Sequence, residues 1–306
     1  FRSPERAQLW FEWRRHGRSL PALVGILLPF ELALLFAAGD TPALVFVILL
    51  GVLVTPPFMA AFAAATVSKS NPHASDSYVM TPFIATRPLT SAALIAAKLK
   101  MTILSTLAAW LLVFAAIPIA LGLSDTGQTV IERASRLMEA VGTPRAIVIM
   151  VLLLSAFVVS TWRQLVQSLY IGLSGREWII KANAFMLLSF LVVIGPFVQW
   201  IIENRDVWAA LWDAFPWILA VLVGFKMSAA AWIATRLFHS GLLSDRTLVL
   251  GAAAWLGAVL ALYVLLVWLV STPLIARYFL ALIAIMAIPL ARLSAAPLAL
   301  ARNRHR

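Results

Sequence analysis

Cysteine is absent from the 306 residues, and charge is scarce: Asp, Glu, Lys and Arg together make up 12% of the chain. Without cysteine there is no disulfide framework, no thiolate metal site and no Cys nucleophile. The four histidines, His16, His73, His239 and His305, are scattered and show no H-E-x-x-H or other ligand spacing, so the sequence points to no metal. It offers no serine elbow and no closely spaced carboxylates in its apolar stretches, which argues against a hydrolase or transferase centre. It also lacks the G-x-x-x-x-G-K-[ST] loop that cradles ATP phosphates. The chain is therefore read as no enzyme in itself, and no cofactor follows from its residues.

Apolar residues fill the space that charge leaves. They account for 62% of the sequence, against about 45–50% in ordinary soluble domains, and the mean hydropathy is +0.95. They fall in long runs, such as LPALVGILLPFELALLFAA from Leu20 and LVLGAAAWLGAVLALYVLLVWLV from Leu248. Crossing ~30 Å of hydrocarbon takes about 20 such residues. In lipid every backbone N–H and C=O must pair within its own segment, so the runs should be helices. The expected fold is an all-α, polytopic integral membrane bundle forming one transmembrane domain over 1–306. About eight spans are predicted, near 20–38, 43–67, 101–123, 146–168, 182–202, 215–235, 248–271 and 274–291. Pro56–Pro57 should bend the second. Small-xxx-small spacing at Ala60/Ala64 and Ala61/Ala65 suits close helix contact there.

The net charge of +11 would suggest nucleic acid for a soluble chain. Here the basic residues cluster at span ends, where the positive-inside rule and anionic headgroups account for them, so no nucleic-acid partner is expected. With both termini in the cytoplasm, about 18 of the 24 basic residues lie in inner segments and five in outer ones, with Lys226 inside a span. That favours an N-in, C-in, multi-pass protein of the inner (plasma) membrane.

Three segments outside the spans have character of their own. Residues 1–19 place Ser3 as an N-cap and Pro4 in a first helical turn, with Leu9, Trp10 and Trp13 near one face and Arg14, Arg15 and Arg18 beyond. Tryptophan and arginine together suit a helix lying in the headgroup layer. The inner loop at 68–100 carries turn signals at Asn71-Pro72 and Arg87-Pro88, and Thr90 or Ser91 then caps a helix leading into the third span. In the outer loop at 124–145, Val130, Ile131, Ala134, Leu137, Met138 and Val141 recur at helical spacing and predict a short amphipathic helix.

Two charges sit deep, Glu31 in the first span and Lys226 in the sixth. Each costs roughly 2.5–3.5 kcal/mol on insertion scales. Opposite signs at similar depth suggest a buried ion pair, and either residue is also a candidate for a substrate or proton path. Arg163, Gln164 and Gln167 form a polar patch at the inner end of the fourth span.

The stretch ATRPLTSAALIAAKLK resembles the R-P-[LVI]-[ST]…K segment after the second span of ABC-2 type transporter permeases. AQLWFEWRR, before the first span, is similar to that family's N-terminal elbow helix, and TWRQLVQSLYIGLSGREWIIKA has the character of a second cytosolic contact. The resemblance covers the order of elements over most of the chain, although the family has six spans. It implies a permease subunit working as a homo- or heterodimer among membrane lipids, driven by a separate ATP-binding cassette ATPase, with a lipid-like or hydrophobic substrate. It places the coupling surface at Arg87, Pro88, Thr90 and Lys98, with Arg176 and Glu177 second. Because the chain opens on Phe1, a further expectation is that it forms part of a longer permease. The rival readings are an ion-coupled secondary transporter built on Glu31 and Lys226, a membrane enzyme, and a scaffold subunit.

Overall fold

The computed structural model describes residues 3–38, 41–67, 91–173, 203–241, 244–270 and 276–288, with isolated positions between 185 and 200. Among these residues every regular element is a helix. Ser3 caps α1 (Pro4–Glu12): its hydroxyl accepts the Arg6 N–H at 3.3 Å, and Pro4 sits at the first helical position as its missing N–H allows. A single wide π-turn, Trp13–Gly17, then carries the chain through Arg18 into α2 (Ser19–Ala38). α3 is Pro42–Val67, α4 Ser91–Leu123, α5 Gly127–Val141 and α6 Thr143–Leu173. Beyond them are α7 (Arg205–Ser240), α8 (Asp245–Leu269) and the short α9 (Arg277–Ala287).

Six of the helical runs are long and apolar enough to cross a bilayer. They match the predicted spans 20–38, 43–67, 101–123, 146–168, 215–235 and 248–271, and most extend beyond the predicted ends. The chain is thus an all-α, polytopic membrane bundle. Most of the predicted span 182–202 lies outside the described residues. The predicted span 274–291 corresponds to α9, whose 11 residues reach about 17 Å, roughly half the hydrocarbon thickness. Pro289 gives the physical reason, because the residue before a proline is driven out of the helical region, and Ile288 is extended at φ −82°, ψ 115°. Pro56 and Pro57 do not end α3, which remains one helix across them.

The chain falls into two compact units, 1–175 with Arg306, and 176–305. In the first, α2, α3, α4 and α6 pack on one another, and α1 lies along α4. Leu20, Val24, Leu28, Leu32 and Leu35 form the buried stripe of α2, against Val45, Ile48 and Val52 of α3 and Met101, Ala109 and Val113 of α4. Ala60 and Ala63 are buried on α3, where small side chains let helices approach closely; the side chains of Ala64 and Ala65 lie outside the described residues. The predicted amphipathic helix is α5, which packs chiefly on α6. Gly142, at φ +86°, takes the chain from α5 into α6 through a conformation only glycine adopts readily. In the second unit α9 packs on both α7 and α8.

Candidate functional site

In the first unit a buried polar seam joins the N-terminal helix to α4. Gln8, Glu12 and His16 recur every fourth residue, and all are buried. Gln8 Nε2 donates to Glu12 Oε1 at 2.9 Å, and Lys98 Nζ of α4 donates to Glu12 Oε2 at 3.0 Å. The Glu12 side chain is 4% exposed and that of Lys98 16%, so water screens this ion pair little. Farther along, Ser105 Oγ donates to the Gly17 carbonyl at 2.8 Å, across the same helix pair. Gly17 is required at that place: a Cβ there would lie 2.4 Å from Trp13 Cε3. Lys98, read from the resemblance as a coupling residue, is thus held by the N-terminal helix. The other residues that the resemblance assigns to a coupling surface, Arg87, Pro88, Thr90, Arg176 and Glu177, lie outside the described residues.

The outer face of α1 matches its sequence. Arg14 stacks over the Trp10 ring at 4.9 Å and Arg15 over Phe11 at 5.6 Å. Leu9, Trp10 and Trp13 form one wall of a cavity of about 760 Å³, with α4 as the opposite wall. Its floor includes Trp110, which is buried and whose Nε1 donates to Thr161 Oγ1 of α6 at 3.0 Å.

The two deep charges each find partners within their own unit. Glu31 Oε1 meets the Thr55 hydroxyl of α3, which also lies 3.2 Å from the Gly51 carbonyl. Glu31 Oε2 is buried and makes no hydrogen bond among the described residues. In the second unit Lys226 Nζ donates to the carbonyls of Ile285 and Ile288, and to that of Met286 at 3.3 Å. An ammonium has three N–H donors, and the end of α9 supplies three acceptors. Pro289 has no N–H to give the Ile285 carbonyl its usual i+4 donor, and Lys226 supplies one. Trp255 Nε1 adds a long contact to the Ile288 carbonyl at 3.4 Å. The negative end of the α9 dipole also favours a cation there.

On α6, Arg163 is exposed and Gln164 half-buried, while the Gln167 side chain lies outside the described residues. Among the described residues no three His, Asp or Glu side chains gather as a metal site. No family model matches the chain, and no curated protein or solved structure matches it either.

Proposed function

We propose that this chain is the membrane-spanning permease subunit of an ABC-2 type transporter. It would move a lipid-like or hydrophobic substrate across the inner membrane with ATP hydrolysed by a separate subunit, two permease domains acting together. The observation that carries the reading is the path of the chain around α4. The segment with Arg87-Pro88 leads directly into α4, and α4 is bonded through Lys98 to Glu12 of the N-terminal helix. Force applied to the inner loop by a moving ATPase would enter α4 and pass to α1 and α2 through a buried ion pair. That is the mechanical link such a subunit requires. A cassette ATPase encoded beside this chain, purified with it in nanodiscs, provides the test. The chain should stimulate ATP turnover, and Arg87→Ala should lower that stimulation about ten-fold, the effect of one lost charge-assisted interface contact. Turnover indifferent to the chain would remove the proposal.

One observation favours a second reading, an ion-coupled carrier: the Glu31 carboxyl, placed in a span with one oxygen that has no partner among the described residues. On that reading, proton-driven uptake proceeds without any ATPase and is abolished in Glu31→Gln.

A further inference from the structure

We propose that the cavity between α1 and α4 is a binding site for one anionic phospholipid, its acyl chain in the groove and its phosphate on Arg6. The inference rests on the membrane reading of the fold and not on the transporter proposal.

The groove has the size and chemistry of a site. Its volume, about 760 Å³, falls within the roughly 300–1,000 Å³ typical of small-molecule pockets. Leu104, Leu107 and Leu111 recur along α4 at near-helical spacing and face the Leu9, Trp10 and Trp13 wall. The residues between them offer a hydrocarbon trough with almost no free polarity. Trp110 presents its ring, because its N–H is already committed to Thr161, and Phe114 extends that floor with ring centroids 5.3 Å apart.

Among the described residues Arg6 is the sole charged residue lining the cavity, and no carboxylate lines it. The Arg6 side chain is exposed, and its guanidinium has no ion-pair partner among the described residues. Arg14 stacks on the Trp10 ring but does not line the cavity. A guanidinium grips phosphate bidentately, which a zwitterionic headgroup, with its own ammonium nearby, rewards less. The basic N-terminal segment also reads as cytosolic, on the leaflet where anionic lipids concentrate. An oily trough bearing an exposed guanidinium, with no ion-pair partner among the described residues, therefore fits an anionic lipid better than a neutral one, and better than an apolar segment of protein.

Native mass spectrometry of the full chain, released from nanodiscs of phosphatidylglycerol and phosphatidylcholine with matched acyl chains, tests this. One phosphatidylglycerol per chain should survive release. Arg6→Gln, an exposed substitution that leaves the core intact, should reduce that retention about ten-fold, to the level of phosphatidylcholine. Leu107→Trp, which fills the trough, should remove both lipids while thermal melting shows the chain still folded; should that variant not fold, Leu111→Trp serves the same purpose. Equal retention of the two lipids, or no change with Arg6→Gln, would overturn the proposal. So would full displacement of the lipid by inorganic phosphate, which would make the site a headgroup pocket alone. A lipid-free dimer that Leu107→Trp dissolves would assign the trough to a second copy and equally overturn it.

Discussion

Lys226→Met is expected to unfasten the end of α9. In the native chain the ammonium supplies donors to the Ile285, Met286 and Ile288 carbonyls. Methionine matches the length of the stem and offers none. Each buried acceptor left without a donor costs about 1–3 kcal/mol, and hydrocarbon offers no water as a substitute. The removed charge gives back part of this, because a buried ammonium is itself unfavourable. The net expectation is a loss of about 2–4 kcal/mol, read as a lower melting temperature in detergent and faster proteolysis near residue 288. Lys226→Arg should retain much of the stability, because a guanidinium also donates several N–H groups. A Lys226→Met chain that melts with the native protein would show that the carbonyls do not depend on the ammonium.

Lys98→Met should be at least as damaging. It leaves Glu12 buried without its closest counter-ion, with the Gln8 amide and the more distant charges of His16 and Arg15 beside it. Breaking one side of a buried pair costs about 3–5 kcal/mol, because the surviving charge keeps its desolvation penalty and loses its counter-ion. Adding Glu12→Gln should restore most of that stability, since replacing both members of such a pair is often neutral. Gln at position 12 still offers Gln8 an acceptor. The comparison also bears on function. If the pair carries force from α4 to the N-terminal helix, the double variant should be stable yet stimulate ATP turnover poorly. If the double variant is no more stable than Lys98→Met alone, the pair is not the source of the loss.

The membrane fold was largely legible because lipid permits so few solutions. A run such as 248–271 has to be a helix, and its ends show where polar residues begin. What the sequence hid was partnership. Glu31 and Lys226 have opposite signs and similar depth, which suggests a pair. Hydropathy carries no information on which neighbours a side chain meets within its own unit, where Glu31 meets the Thr55 hydroxyl and Lys226 the end of α9. Ile288-Pro289 held the missing signal: a helix stopped at an apolar depth needs a donor for its last carbonyls, and Lys226, midway along α7, is a charged residue that can supply one. The span expected at 274–291 is the 11-residue α9 among the described residues, since apolar length alone does not show that Ile288, before a proline, turns extended. Gln8, Glu12 and His16 were also readable. Their spacing of four puts three polar side chains on one face, opposite the tryptophans that drew attention to the lipid side. Lys98 stood out only as a cytosolic contact, because nothing local ties residue 98 to residue 12.

The wide turn at Trp13–Gly17 makes the N-terminal segment sensitive to counting as well as to chemistry. Each residue of a regular helix advances the face by about 100°. Removing one residue from the turn would swing everything ahead of it by that angle, carrying Glu12 off Lys98 while altering no side chain that matters. A substitution on the exposed side of this stretch leaves that register as it is, whereas a change in its length shifts it like a tooth missing from a key.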